Sequence, residues 1–350
     1  MNIILNMKKL KIDMLSHATS APAQGVASVY LELMNLMEKY GKDDFEIALN
    51  RHSSKMDLYH IHSVNPSFYL MMKKNRTTIC FVHFMPDTLE GSIRLPKFAF
   101  RIFKKYVISF YKKAKEIVVV NPSFKKELVE YGLDEKRITY IPNFVSHEDF
   151  YPVDEETRKK IRKEYKIPDN AFVVLGVGQV QTRKGILDFI RMSEENPDMY
   201  FVWAGGFSFK NITDGYSELK KEMEKKRDNL LFLGIIDREK MNGVYNMADV
   251  FVLPSYNELF PMALLENCET KHPYIVRDLE LYKDILVGDY LRANDSNEFS
   301  ALLRKLKSDE VFYNSSKSLS EDMSEKYSEE KLYEMWKNYY YSIFEKYNKN

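Results

Sequence analysis

The stretch Ala248-Asp-Val-Phe-Val-Leu-Pro-Ser-Tyr-Asn-Glu258-Leu-Phe-Pro-Met-Ala-Leu-Leu-Glu266 decides the fold. Its apolar run, 250–253, reads as a strand, and the residues leading to Glu266 read as a helix. Open α/β sheets place ligands at the carboxyl ends of their strands. Glu258 and Glu266 are eight positions apart, so on one helix they are predicted to return to nearly the same face. Two carboxylates so placed can hold two parts of one ligand. Ahead of them, Leu175-Gly-Val-Gly-Gln-Val-Gln-Thr-Arg-Lys-Gly185 is a second turn after an apolar strand, suited to anions. Cations for a diphosphate and carboxylates for hydroxyls together point to a sugar nucleotide.

Working outward, short apolar runs at 172–177, 199–204, 230–233, 250–253 and 274–276 alternate with stretches long enough for helices. The earlier half repeats the pattern at 11–15, 45–49, 58–62, 77–83, 117–120 and 138–141. Such alternation predicts parallel sheets with crossover helices. A polar, charged stretch after Pro142-Asn143 separates the two series. The expected organisation is therefore two doubly wound, Rossmann-like α/β domains, 1–150 and 151–325, facing across a cleft. The aromatic helical pattern of 326–350 is expected to pack back on the first domain.

With 350 residues and 45% hydrophobic content, the chain has enough apolar material for two cores. Its 52 basic and 51 acidic side chains nearly cancel, so a global positive field for nucleic acid is not indicated. Cys80 and Cys268 make no disulfide framework and fit a reducing compartment. The opening Met1-Asn-Ile-Ile-Leu-Asn-Met-Lys-Lys does not read as a secretory signal, and no uncharged apolar stretch approaches the roughly 18 residues that span a bilayer. A cytoplasmic protein, attached to a membrane only peripherally, is the expectation.

Arg183, Lys184 and Gly185 stand just before the apolar helix predicted at 186–192, where backbone amides and the positive dipole end favour phosphate oxygens. A solvated Arg-Lys pair is the plainer alternative. Gly25 lies in the turn Ser20-Ala-Pro-Ala-Gln-Gly25-Val26, where a residue without a side chain lets backbone approach a ligand, or simply serves a loop. His83 ends a strand at the ligand-facing edge, although a core histidine fits equally. His60 and His62 read as ordinary strand residues. The chain has no Asp-x-Asp pair, so a metal-independent site, with cations and helix ends neutralising a diphosphate, is preferred.

Between Arg94 and Lys115 there are eight basic residues and no acidic one, interleaved with aromatics at helical spacing. The helix is expected to bury Phe98, Phe103, Val107 and Phe110. Arg101, Lys104, Lys105, Lys112 and Lys113 would then meet anionic headgroups, unless the basic face is merely solvated.

Taken together, Gln24-Gly25-Val26, His83, Ile141-Pro-Asn143, Gly178 to Gly185, Ala248 to Ser255 and the Glu258-x7-Glu266 pair resemble the retaining glycosyltransferases of GT-B fold that carry a Glu-x7-Glu motif, family 4-like. The spellings Ser16-His-Ala, Gln-Gly-Val and Gly-Gln-Val-Gln-Thr-Arg-Lys-Gly are most similar to the bacterial diglycosyl-diacylglycerol synthases. That resemblance implies transfer of an α-hexose from a UDP-sugar to a membrane glycolipid with retention and without a cofactor. It implies Lys184, Arg183 and Gly25 at the donor diphosphate, Glu266 at the ribose, Ile236 at the uracil, Glu258 on the transferred sugar and His83 beside its hydroxyls. Three positions depart from the family: Gln179 where an arginine is usual, and Leu259 and Pro261 where small residues are usual, Pro261 having no amide hydrogen to offer a phosphate. A soluble transferase of capsule or other glycan, or a noncatalytic GT-B partner, are the alternatives.

Overall fold

The computed structural model describes residues 9–17, 25–89, 96–207 and 215–348. Residues 1–8, the turn 18–24 with Gln24, and Arg94 lie outside them. The chain divides into two units, 1–144 with 328–350 and 145–327. The boundary expected at 150/151 thus falls at 144/145, and the return to the first unit at 327/328.

The first unit begins with β1 (Leu10–Leu15), α1 (Gly25–Tyr40), β2 (Phe45–Leu49), β3 (Leu58–Ile61), α2 (Pro66–Met71) and β4 (Thr78–Val82). It continues through α3 (Lys97–Lys113), β5 (Glu116–Val119), α4 (Pro122–Glu130) and β6 (Ile138–Tyr140). Its sheet has the order β2-β1-β3-β4-β5-β6, every neighbour parallel. β3, β4 and β5 are buried along their whole length, because helices cover both faces of a doubly wound sheet. Two helix starts share one local cause: Asn65 and Asn121 precede Pro-Ser, and each side-chain oxygen accepts from the serine amide, at 2.9 and 2.8 Å.

The second unit holds α5 (Glu155–Glu164), β7 (Val173–Val177), α6 (Ile186–Glu195), β8 (Tyr200–Ala204), α7 (Tyr216–Glu224) and β9 (Leu230–Gly234). Then come α8 (Arg238–Asn246), β10 (Val250–Leu253), α9 (Met262–Glu269), β11 (Tyr274–Arg277), α10 (Tyr282–Ile285), β12 (Leu291–Ala293), α11 (Ser296–Ser308) and α12 (Glu310–Lys326). The sheet order is β12-β11-β10-β7-β8-β9, again parallel throughout. From β7 the chain runs outward through β8 and β9, then crosses back to lay β10 on the other side of β7. β7 and β10 therefore flank the topological switch point, where such sheets open a ligand crevice at their carboxyl ends. β12 was not expected from the sequence: it is three residues long and its middle one, Arg292, is exposed.

Trp203, Phe189 and Phe201 form the centre of the second core. Gly176 is required there, since a Cβ would lie 2.4 Å from the Trp203 ring. Arg158 and Arg162 of α5 both pair with Asp249, at 2.5 and 2.8 Å, tying the first helix of the unit to the loop entering β10.

The final helix, α13 (Glu329–Asn348), packs within the first unit. Trp336 and Tyr340 are buried, the Tyr340 hydroxyl is 2.8 Å from His60 Nδ1, and ion pairs join Lys39 to Glu329 and Lys346 to Glu116.

Candidate active site

Lys184 closes a short 3-10 turn, Thr182–Lys184, that follows β7 and leads through Gly185 into α6. Gly185 has φ +74°, and a Cβ there would sit 2.2 Å from the Pro254 carbonyl oxygen. Only glycine admits that approach of the β10 loop to the start of α6. The approach brings Lys184 Nζ to 2.5 Å from Glu258 Oε1, with side-chain exposures of 15% and 7%. An ammonium and a carboxylate, nearly dehydrated, thus meet at the switch point in front of the α6 N-terminus. Arg183 lies beside them, its guanidinium donating to the Asn257 carbonyl at 3.2 Å.

Glu258 and Glu266 do not share a helix face. Glu258 lies in the loop, because Pro261 occupies the N-cap of α9 and the helix proper begins at Met262. Glu266 accepts from the Tyr245 hydroxyl at 2.6 Å and from Arg238 at 3.2 Å, and Arg238 also reaches Asp149 at 3.6 Å. Burial, opposed by Arg238 and by the Tyr245 hydrogen bond, raises the Glu266 carboxyl above its ordinary value. Ile236 follows the left-handed Gly234 that ends β9 and is half-buried. The two glutamates therefore have distinct surroundings, one cationic and one shared between a phenol and a guanidinium. Tyr245 and Arg238 were not foreseen; neither sits in a recognisable spacing with Glu266.

In the first unit, Gly25 opens α1. His83 follows β4 directly and is buried, 4.4 Å between ring centroids from Phe81 and 5.7 Å from His62. Its Nε2 has no hydrogen-bond partner among the described residues. Burial lowers the His83 pKa to about 3, so its ring is neutral at any working pH. His60 and His62 continue the cluster, their rings 4.2 Å apart.

The basic segment forms α3. Val107 and Phe110 are buried as expected and Phe103 is half-buried, but Phe98 is 70% exposed. One exposed stripe, one or two turns apart, carries Phe98, Arg101, Ile102, Lys105 and Lys112. Lys104 pairs with Asp87, and Lys113 donates to the Tyr69 carbonyl at 2.6 Å. No helix among the described residues is long and apolar enough to cross a membrane.

Residues 157–339 match the model of the family "Glycosyl transferases group 1", and residues 25–149 that of "Glycosyltransferase Family 4". The chain is 41% identical to the alpha-galactosylglucosyldiacylglycerol synthase of Streptococcus pneumoniae over 97% of its own length and 91% of that protein. It is 26% identical to the processive diacylglycerol alpha-glucosyltransferase of Acholeplasma laidlawii, covering 71% of this chain and 75% of that one. Among solved structures, Anabaena HepE in complex with UDP-glucose superposes with a TM-score of 0.75 at 12% identity, covering 95% of this chain and all of that one. Sucrose-phosphate synthase of Thermosynechococcus elongatus gives 0.76 at 15% identity, covering 96% and 99%. With two parallel six-stranded sheets and these matches along its length, the chain belongs to the group 1 glycosyl transferases and has the GT-B fold.

Proposed function

We propose that this glycosyltransferase moves an α-hexose from a UDP-sugar to a membrane glycolipid, glucosyl-diacylglycerol, giving a diglycosyl-diacylglycerol with retention of configuration. The observation that carries this reading is the Lys184–Glu258 pair at the β7/β10 switch point. The activity for which the Streptococcus pneumoniae relative is named supports the acceptor.

In this mechanism the Lys184 ammonium, Arg183 and the amides opening α6 take up the charge that develops on the departing diphosphate. They serve where a metal would in other transferases, so no metal or cofactor is required. Glu258 turns from Lys184 to the hydroxyls of the transferred hexose as the diphosphate claims the ammonium. The acceptor hydroxyl attacks on the face from which UDP departs, and the leaving phosphate oxygen receives its proton. Glu266 holds the ribose, with Tyr245 and Arg238 fixing its carboxylate, and backbone at Ile236 meets the uracil. Taken by itself, the first unit offers His83, a neutral ring with an unpartnered Nε2 among the described residues, as a group for a hydroxyl, and Gly25, at the start of α1, as a point where backbone would admit close approach of a ligand.

The acceptor is a lipid, and the exposed stripe of α3 supplies the matching surface. Phe98 and Ile102 would enter the acyl boundary while Arg101, Lys105 and Lys112 meet anionic headgroups, holding the protein at the inner face of the cell membrane. The deciding experiment incubates the purified protein with UDP-glucose or UDP-galactose and glucosyl-diacylglycerol in mixed micelles containing a chelator. Mass and linkage analysis of a dihexosyl product supports the reading; absence of both product and UDP release refutes it.

A further inference from the structure

Beneath the Lys184–Glu258 pair lies a second charged cluster that the reaction as written does not use. Arg277, the last residue of β11, is only 5% exposed. Its Nε donates to the Pro254 carbonyl at 2.9 Å, Nη1 to the Asn294 carbonyl, and Nη2 to Asp188 Oδ2. Its guanidinium carbon stands 3.9 Å from the centroid of the Tyr256 ring. The Tyr256 hydroxyl donates to the same Asp188 oxygen at 2.6 Å, and the Tyr256 amide donates to the Arg183 carbonyl at 2.8 Å.

All three nitrogens of Arg277 are thus engaged with protein acceptors, through three of its five N–H donors, and at 5% exposure the guanidinium is fixed within the protein. Its effect must be geometric. Asp188 lies on the first turn of α6, one turn beyond Lys184, and Tyr256 is two residues before Glu258. The cluster therefore staples the loop carrying Glu258 to the helix whose opening turn carries Lys184. A buried pair such as Arg277–Asp188 is weak evidence for stability alone, because an apolar pair of similar volume often serves as well. Its grip on Tyr256, which is 53% exposed, has another effect, which is to fix where a surface loop sits.

We infer that Arg277, Asp188 and Tyr256 are positioning residues that set the separation of Lys184 and Glu258 during transfer. This rests on the reading that Lys184 and Glu258 hold the donor. Groups that act only in the transition state lose rate when displaced by about an ångström, with costs up to about 100-fold.

The test compares Tyr256→Phe, Asp188→Asn, their double variant and Lys184→Met in steady-state transfer from UDP-hexose to glucosyl-diacylglycerol. Melting temperatures are read alongside. Tyr256→Phe is the main probe because it strands no charge, whereas Arg277→Met and Asp188→Asn each remove one partner of a buried pair. Tyr256→Phe keeps the ring and removes only the staple, so a ring that merely stacked on sugar would lose nothing. The expected result is a fall in kcat of about 10-fold for each single variant, with KM for UDP-hexose changed less than about 3-fold. Because both act through one carboxylate oxygen, the double variant falls no further than the worse single one. A parent-like kcat in Tyr256→Phe with Lys184→Met impaired overturns the positioning role while leaving the donor assignment standing. Losses confined to KM, or additive in the double variant, also overturn it. A parent-like Lys184→Met removes the donor assignment, and the inference with it.

Discussion

Replacing Lys184 by methionine separates what the ion pair does for folding from what it does for transfer. The change strands Glu258, whose side chain is only 7% exposed, without the cation that stands 2.5 Å away. Removing one partner of a buried pair costs about 3–5 kcal/mol, and the partial exposure of Lys184 puts this case near 3. The unit concerned spans residues 145–327, a size at which about 1 kcal/mol moves the melting temperature by roughly 2–4 °C. The Lys184→Met variant should therefore lose roughly 6–12 °C in the transition of that unit. Glu258→Gln leaves an ammonium with an amide partner and should lose less. The double variant, Lys184→Met with Glu258→Gln, contains no stranded charge and should recover most of the loss. Activity should follow a different rule, with all three variants down by about 100-fold or more in kcat, because each lacks the ammonium at the departing diphosphate, the carboxylate at the hexose hydroxyls, or both. Differential scanning calorimetry and a UDP-release assay on the same preparations read the two quantities. If the double variant melts as low as the sum of the singles, charge stranding is not the cause. If any of the three retains the parent kcat, the pair is not the donor site.

The His60, His62 and His83 cluster makes the first unit sensitive to mild acid. Burial, joined for His60 and His62 by neighbouring histidines, lowers His60 and His83 to about 3 and His62 well below its ordinary value of 6.5. Depressed folded values mean that this stability is present above pH 6.5 and is lost as pH falls toward 3. Each group costs about 1.4 kcal/mol one unit below 6.5, so urea melts should show a loss of about 4 kcal/mol at pH 5.5; a flat profile from 7.5 to 5.5 would contradict the burial. Glu266 has the opposite sign: its raised folded value favours folding below the ordinary carboxyl range, and this contribution disappears as pH rises through it. Glu266→Gln should therefore melt no lower than the parent at pH 7, lose any gain near pH 4, and bind UDP more weakly by calorimetry; a parent-like affinity would remove Glu266 from the nucleoside site. On α3, neutralising Arg101, Lys105 and Lys112 removes about 3 kcal/mol of attraction to an anionic leaflet, or roughly 100-fold in vesicle partitioning. Unchanged sedimentation with anionic vesicles would detach this helix from the membrane.

What the sequence made legible followed from local rules. Eleven of the twelve strands among the described residues could be read because helix-covered parallel strands are short apolar runs, and β12 escaped because Leu291-Arg-Ala293 has neither the length nor the pattern. Lys184 was legible because it precedes a glycine that precedes an apolar helix. Its partnership with Glu258 was not, since it depends on Gly185 letting the Pro254 carbonyl approach, a contact between segments 69 residues apart, from 185 to 254. Phe98 lies outside the core although helical spacing assigns a face to every turn alike. In the structure only the later turns of α3, at Val107 and Phe110, are buried, and the first turns project outward.

The same distinction explains why the two glutamates mislead when treated as a helical pair. A spacing of eight is a statement about one face only if the helix includes both residues, and Pro261 prevents that by capping α9 after Glu258. The spacing instead measures the length of chain needed to step from the mouth of β10 to the second turn of α9. At the first place a carboxylate meets the ammonium delivered by the β7 turn; at the second it meets the phenol and guanidinium of α8. Two different environments for two chemically identical groups are what a ligand with a sugar at one end and a ribose nearer the other would require. That division of labour also predicts different failures: loss of Glu258 should spare UDP affinity and depress kcat, whereas loss of Glu266 should weaken UDP itself. Calorimetric titration of both alanine variants with UDP separates the two, and equal loss of affinity in both would mean that the carboxylates serve one subsite.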